Sequence, residues 1–116
     1  FYIQQTEIGV YWRNWRWKTR YMPYESISEV LLQNNGKNGY LRVRSRNIKR
    51  VRLSFDPWQF DASILFAMVL SRVQHKEWPQ NLNAQRVEEL VAGFGSYEKM
   101  FGCIKQLAYE KKLKLD

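Results

Sequence analysis

Arginines at every second position give this sequence its clearest potential for chemistry. Arg42, Arg44 and Arg46 are spaced in this way, and Arg50 and Arg52 repeat the spacing after a short break. Side chains two residues apart lie on the same face of an extended strand. Because guanidinium groups bind phosphates and carboxylates through paired N–H donors, the spacing predicts a sheet face that binds an anion. The alternative is a solvated face whose charge is offset by acids from the C-terminal helices.

The residue types used in catalysis and metal binding are scarce. His75 is the single histidine and Cys103 the single cysteine, so no Ser/His/Asp set and no metal-ligand cluster can be assembled. We expect His75 at the surface at a helix end, and Cys103 as a small core residue beside an apolar stripe. The glycines match neither a phosphate-binding loop nor a dinucleotide fingerprint. The sequence therefore predicts a protein that is not an enzyme and needs no cofactor or metal.

The excess positive charge is confined to the first half of the chain. The 116 residues carry a formal net charge of +8. Residues 1–55 contain eleven cations and three acids, whereas residues 56–116 contain eight of each. Such an asymmetry is typical of a protein with an anionic partner. Hydrophobic residues make up 45% of the chain, which excludes wholesale disorder, and the longest apolar run, seven residues at 64–70, is too short to span a membrane.

Turn signals and β-favouring residues predict antiparallel strands throughout the first half. The predicted strands cover residues 1–4, 8–13, 16–22, 28–33, 39–46 and 50–55. In the last hairpin, a three-residue connection at 47–49 places Arg44 opposite Arg52 and Arg46 opposite Arg50. The reverse face is then apolar, with the pairs Val43–Leu53 and Leu41–Phe55. A two-residue connection would shift the pairing by one residue and mix the two faces, so the three-residue connection is favoured.

The first hairpin is predicted to divide its faces in the same way. A two-residue connection at 14–15 pairs Trp12 with Trp17 and turns both indoles toward the core. The opposite face then gathers the candidate anion-binding residues of this hairpin, which are Arg13, Arg16, Lys18 and Arg20. Tyr11 lies among them, and Trp15 lies at the tip of the hairpin.

Helices are predicted for the second half. Asp56 at the cap and Pro57 at the first helical position start a helix that runs to about Gln74. Its stretch 64–70 is apolar on nearly every side, which predicts cover by the sheet on one flank and by the tail on the other.

Two further helices follow in the tail. Asn83 and Ser96 are suitable N-cap residues, and an apolar stripe follows each of them. The last helix is expected to finish with Lys111, Lys112 and Lys114, which complement its negative end. A helix-turn-helix that reads DNA is disfavoured because the exposed face of this helix mixes both signs of charge. The residues of that face are Glu98, Lys99, Lys105, Gln106 and Glu110.

The segment from Tyr21 to Val30 resembles a motif of bacterial pleckstrin-homology-like (PH-like) domains, Ile-Pro-Trp-x-x-Ile-x-x-Val. Pro23 and an aromatic residue lead into a strand whose Ile27 and Val30 point to the core in that family. The segments 39–43 and 51–55 and the helix start that follows match the family in order. The resemblance covers residues 1 to about 76. The family fold has seven strands, whereas the sequence pattern predicts six. We therefore expect the seventh strand either before Phe1 or in a segment where the pattern does not reveal it.

This resemblance completes the predicted architecture. We expect an α+β fold in which a PH-like antiparallel β-barrel or sandwich of six to seven strands is followed by a helix. Residues 1–78 form this domain, and residues 79–116 form a two-helix hairpin packed on it.

The resemblance implies an adaptor that binds lipids, peptides or other chains. Bacterial members are often joined to membrane-spanning helices on their N-terminal side, so we expect a cytoplasmic protein held at a membrane through a segment preceding Phe1. Lipid-binding members use cations around the first hairpin loop. The comparable positions here are Arg13, Arg16, Lys18 and Arg20. Trp15 at the tip and Tyr11 are the expected interfacial aromatic residues.

Three functions are compatible with these features of the sequence. The favoured one is a non-catalytic scaffold whose basic sheet faces bind anionic lipid or an acidic protein. The second is a nucleic-acid-binding module, because Trp12, Trp15, Trp17, Tyr11 and Tyr40 are interleaved with arginine as in stacking platforms. The third is an oligomerisation unit that uses the C-terminal helices.

Overall fold

Seven strands and three helices make up the described part of the chain. The computed structural model describes residues 2–13, 19–34, 39–46 and 52–116. The strands are β1 (Tyr2–Gln5), β2 (Gly9–Arg13), β3 (Thr19–Pro23), β4 (Ile27–Asn34), β5 (Gly39–Ser45), β6 (Arg52–Phe55) and β7 (Leu113–Lys114). The helices are α1 (Ser63–His75), α2 (Ala84–Phe94) and α3 (Tyr97–Ala108), and a 3-10 turn at Tyr24–Ser26 separates β3 from β4.

The strands form two antiparallel sheets, which gives an α+β fold as predicted. One sheet has three strands in the order β1-β2-β3, and the other has four in the order β6-β5-β4-β7. Over the described ranges the two sheets do not join into a closed barrel. The six strands predicted in the first half are present, and their ends agree with the prediction within one residue wherever those ends are described.

A hydrophobic core joins the two sheets and the helices. Val10 of the first sheet and Val43 and Leu53 of the second are fully buried in it. α1 buries seven consecutive residues, Leu65–Ser71, and both α2 and α3 pack against α1. The helix that is apolar on nearly every side is therefore buried by the sheets and by α2 and α3, as the sequence predicts. Among the helices of the described ranges, none combines the length and apolar character needed to cross a membrane.

The pairing of β5 with β6 agrees with the prediction. Val43 lies opposite Leu53, and Leu41 opposite Phe55, and all four side chains are buried. Arg44 lies opposite Arg52. The predicted pair of Arg46 and Arg50 lies outside the described residues, because residues 47–51 are not described.

The predicted register of the first hairpin is wrong. Trp12 pairs with Arg20 instead of Trp17, which is a shift of three residues. Because three is an odd number, the shift exchanges the faces of β3. Arg20 thus shares a face with the buried Trp12, while Arg13 lies on the opposite face. The connection, residues 14–18, lies outside the described residues.

α1 begins six residues later than predicted, because Asp56 closes a separate turn. Its carboxylate accepts a hydrogen bond of 2.8 Å from the backbone N–H of Trp58, and its carbonyl oxygen accepts one of 3.1 Å from the N–H of Phe60. The chain then leaves this turn, and Ser63 is the first residue of the helix.

Two residues from other elements hold this turn and the start of α1 in place. The Tyr97 hydroxyl of α3 lies 2.5 Å from the carbonyl oxygen of Pro57 and 2.9 Å from that of Phe60. These carbonyl groups therefore accept hydrogen bonds from a side chain of α3, and not from the backbone N–H groups of a helix that starts at Pro57. The Gln5 side chain of β1 accepts a 2.8 Å hydrogen bond from the N–H of Leu65, in the first turn of α1.

The caps of α2 and α3 are those predicted. Asn83 accepts a hydrogen bond from the N–H of Arg86 at 2.9 Å, and Ser96 accepts one from that of Lys99 at 3.2 Å. α2 ends at Phe94, and the C-cap residue Gly95 has a φ of 97°, in a region that suits glycine.

The end of α3 differs from the prediction. The helix stops at Ala108, and Glu110 takes a left-handed conformation with φ of 54°. The chain then turns back along the open edge of β4, where Leu113 and Lys114 form β7. Lys111, Lys112 and Lys114 are therefore not part of the helix.

Candidate anion-binding face

The outer surface of the four-stranded sheet carries the arginines of β5. Arg42 and Arg44 alternate with the buried residues Leu41 and Val43, so they project away from the core. Arg42 lies opposite Leu31 of β4, and Arg44 lies opposite Glu29. β4 and β5 thus set two guanidinium groups beside one carboxylate on the same face.

The C-terminal segment, residues 109–116, adds cations to this surface. Lys114 lies opposite Glu29 in the pair of β4 and β7, and the two side chains form an ion pair. Lys112, Arg42, Arg44 and Glu29 line one small depression. We call the surface that bears Arg42, Arg44, Lys112 and Lys114 the basic face.

Glu29 is the carboxylate at the centre of the basic face. Its side chain keeps 16% of its accessible surface. The hydrogen bond from Lys114 lowers the pKa of Glu29 below its ordinary value of 4.5 and is the largest cause of the shift. Burial opposes it as the second-largest cause, and the charges of Lys114, Lys112 and Arg44 each lower the pKa further. Glu29 is therefore ionised near neutral pH, and the surrounding cations exceed it in number.

Arg42 is held against an aromatic ring. Its guanidinium carbon lies 5.0 Å from the centroid of the Tyr40 ring, and one guanidinium nitrogen donates a hydrogen bond of 3.1 Å to the Tyr40 hydroxyl. A guanidinium over a ring face is favourable and restricts the side chain. Arg42 is half-buried, whereas Arg44 is exposed. The two arginines thus differ in how firmly they are positioned.

The remaining cations of the second hairpin are only partly described. Arg46 is exposed, and its guanidinium donates a 2.9 Å hydrogen bond to the carbonyl oxygen of Glu25. The backbone of Arg52 lies opposite Arg44. Arg50 and the side chain of Arg52 lie outside the described residues.

The two described cationic candidates of the first hairpin do not share a face. Arg13 and Arg20 lie on opposite faces of their sheet, so the expected grouping of these two residues is wrong. The Arg13 guanidinium donates a hydrogen bond of 3.4 Å to Thr19. Tyr11, expected to be an interfacial aromatic residue, packs on Tyr21 across the strand pair with a centroid distance of 4.5 Å. Trp15, Arg16 and Lys18 lie outside the described residues.

Lys112 and Lys114 are the residues of the face that sequence reasoning missed. The signal was present in the run Lys112-Leu113-Lys114-Leu115, which alternates cation and leucine with a period of two. That pattern is typical of a half-buried strand. In agreement with it, Leu115 is buried and both lysines are exposed. Asp116, which is also exposed, ends the segment.

The depression within the basic face is shallow. Its volume is about 30 Å³, and Leu31 lines it together with Glu29 and the cations. This volume is close to the share of one water molecule in the liquid. The basic face is thus a broad charged surface with no room for a buried small ligand at this point.

His75 and Cys103 are both exposed. His75 lies at the end of α1, as predicted. Cys103 was expected in the core, but it lies on the solvent side of α3, next to the buried Ile104. Within the described ranges, no group of three or more His, Cys, Asp or Glu side chains is placed to hold a metal ion.

Comparison of the chain with protein-family models, curated proteins and solved structures finds no significant match in any of the three.

Proposed function

We propose that this protein is a non-catalytic adaptor or scaffold module that holds its basic face against an anionic lipid surface. The observation that carries the proposal is the convergence of Arg42, Arg44, Lys112 and Lys114 on one side of a sheet. Each basic side chain near an anionic leaflet contributes about 1 kcal/mol. Glu29 offsets one of these four cations, so the face keeps a net attraction for negative charge.

The shape of the basic face favours an extended anionic surface as the partner. The depression between the cations is too small to admit a lipid headgroup. Binding therefore depends on the summed attraction of exposed cations and not on a stereospecific pocket. It follows that no particular headgroup is selected by this face.

In this proposal the strands and α1 form a PH-like domain at the cytoplasmic side of a membrane, and α2 and α3 form a helical hairpin added to it. The order of elements supports this assignment, because six antiparallel strands precede one buried helix. The segment after Pro23 also supports it, since a turn leads into β4 and both Ile27 and Val30 are buried.

Nucleic-acid binding has less support from the aromatic residues. Trp12 is buried, Tyr11 packs on Tyr21, and Tyr40 is covered by Arg42. Few of the described aromatic residues of the strands are thus open to stack with bases. Oligomerisation through the C-terminal helices also has less support, because their apolar stripes pack against α1.

The test compares binding of the protein to three anionic probes. These are phosphatidylcholine vesicles with about 30% phosphatidylserine, a poly-glutamate peptide and a single-stranded oligonucleotide. We expect sedimentation with the anionic vesicles, which weakens as salt is added, and none with pure phosphatidylcholine. Tight binding to the peptide or the oligonucleotide, without binding to vesicles, would replace the lipid surface by that partner.

Matched charge variants assign the binding to the basic face. The double substitution Arg42→Gln and Arg44→Gln is expected to weaken vesicle binding by about 2 kcal/mol, or roughly thirtyfold. Arg86→Gln with Lys99→Gln removes the same charge from exposed positions of α2 and α3 and serves as the control. Equal losses in the two double variants would show that net charge, and not this face, drives binding.

A further inference from the structure

We infer that the C-terminal segment, residues 109–116, is a working part of the anion-binding site, so that anion binding and docking of the segment reinforce each other. The inference rests on the proposed function and adds two residues and a conformational link to it. Lys112 and Lys114 reach the basic face only because the segment lies along β4. A state with the segment released would have two fewer cations at the site.

The segment is docked along most of the edge of β4. The N–H of Glu110 donates a 2.8 Å hydrogen bond to the carbonyl oxygen of Leu32, and the N–H of Leu115 donates a 2.9 Å bond to that of Ser28. The Glu110 carboxylate accepts a 2.9 Å hydrogen bond from the N–H of Asn34. Between these points, β7 pairs with β4. The attachment therefore uses backbone groups at both ends of the edge.

One apolar side chain anchors the end of the segment. Leu115 keeps only 3% of its accessible surface and belongs to the main core. Because Leu115 carries no charge, its substitution changes the docking of the segment without changing the charge of the basic face. This separates docking from electrostatics in an experiment.

Glu29 is an acceptor within the protein for the cations of the basic face. Its carboxylate pairs with Lys114 and lies opposite Arg44 across the strand pair. An incoming phosphate or carboxylate group offers the same kind of acceptor to the same cations. An anionic surface at the basic face can therefore accept hydrogen bonds from Lys112, Arg42 and Arg44, while the pairing of β7 with β4 and the buried Leu115 keep the segment docked.

Reciprocity follows from linkage. If the docked segment increases the affinity for an anionic surface, the anionic surface increases the docked population by the same factor. An attraction of about 1 kcal/mol per lysine corresponds to about fivefold in affinity for each of Lys112 and Lys114.

The experiment measures sedimentation of variants of the 116-residue chain with the phosphatidylserine vesicles. Lys112→Gln and Lys114→Gln are each expected to weaken binding about fivefold. Lys111→Gln, in the same segment but outside the residues that line the depression, is the matched control and is expected to have a smaller effect. Leu115→Ala is expected to weaken binding several-fold although it leaves the net charge unchanged. Circular dichroism verifies that each variant is folded.

Two outcomes overturn the inference, and a third overturns the proposed function. If Lys112→Gln weakens binding no more than Lys111→Gln, the segment lies outside the site. If folded Leu115→Ala binds as tightly as the unmodified protein, docking and binding are not linked. If the unmodified protein does not bind the anionic vesicles at all, the proposed function fails, and the inference fails with it.

Discussion

Glu29 and Lys114 are 85 positions apart in the sequence and lie directly opposite each other in the pair of β4 and β7. Their ion pair connects β4, in the first half of the chain, to β7 of the C-terminal segment. The C-terminal segment thereby adds its positive charges to those of the arginines of β5, so the basic face carries more positive than negative charge. The expected alternative, in which acids from the C-terminal helices neutralise these arginines, is not the arrangement seen at Arg44, whose neighbouring carboxylate comes from β4.

The ion pair between Glu29 and Lys114 makes the stability of the folded protein, with its C-terminal segment docked, depend on pH. The pKa of Glu29 is lowered in the folded protein, chiefly by the hydrogen bond from Lys114. A lowered pKa means that the ionised carboxylate stabilises the folded state. This contribution is fully present above the ordinary pKa of 4.5 and is lost as the pH falls through the folded value.

A carboxyl titration of Glu29 by NMR measures this shift. In Lys114→Gln we expect the pKa of Glu29 to rise toward its ordinary value, because the main cause of the shift has been removed. Lys99→Gln on α3 is the control and should leave the pKa of Glu29 where it is. An unchanged value in Lys114→Gln would contradict the assigned cause.

Glu29→Gln is expected to strengthen binding to anionic vesicles. The substitution removes a negative charge from the centre of the basic face, which is worth about 1 kcal/mol or about fivefold in affinity. The backbone pairing of β7 and the buried Leu115 continue to hold the segment. Glu98→Gln on α3 makes the same change of charge at an exposed position, and an equal gain there would refute a special role for Glu29.

Tyr97→Phe is expected to destabilise the protein. The Tyr97 hydroxyl lies within hydrogen-bond distance of the carbonyl oxygens of Pro57 and Phe60, and burial raises the pKa of Tyr97 to about 12. Loss of this hydroxyl should lower the free energy of unfolding by about 1 kcal/mol in a urea titration.

Tyr109→Phe provides the comparison for Tyr97→Phe. The Tyr109 side chain is exposed, and its hydroxyl accepts a hydrogen bond from Asn34. A surface substitution of this kind changes stability by about 0.5 kcal/mol or less. If the two variants lose the same stability, Tyr97 is not an anchor of the turn before α1.

The second hairpin was predictable because its pattern is strict. Arg42 and Arg44 alternate with Leu41 and Val43, so a slip of one residue would bury guanidinium groups. Because burying unpaired guanidinium groups costs a large free energy, only the observed register of β5 and β6 is favourable. The same reasoning failed for the first hairpin, where Trp12 and Arg20 form a pair. The long aliphatic stem of arginine and the large faces of tryptophan and tyrosine are compatible with half-buried positions on either side of a sheet, so parity does not discriminate.

The C-terminal half of the site could not be predicted from local preference. Two residues do not specify a strand by themselves, and β7 exists because the open edge of β4 supplies its partners. Lysines after a helix also have a ready explanation as complements of the helix end. The alternation of Lys112 and Lys114 with buried Leu115 indicated a strand, but only the fold shows which edge it joins. The start of α1 was misplaced for a similar reason, since Tyr97 binds the preceding turn from another helix.

The most direct test of the central claim is to map the lipid-facing surface by NMR. The isotope-labelled protein is titrated with bicelles that contain phosphatidylserine, and with bicelles of phosphatidylcholine alone. We predict that the anionic bicelles perturb the signals of Arg42, Arg44, Lys112 and Lys114 and that the neutral bicelles do not. Perturbations confined to the exposed faces of α2 and α3, with the basic face unchanged, would contradict the account.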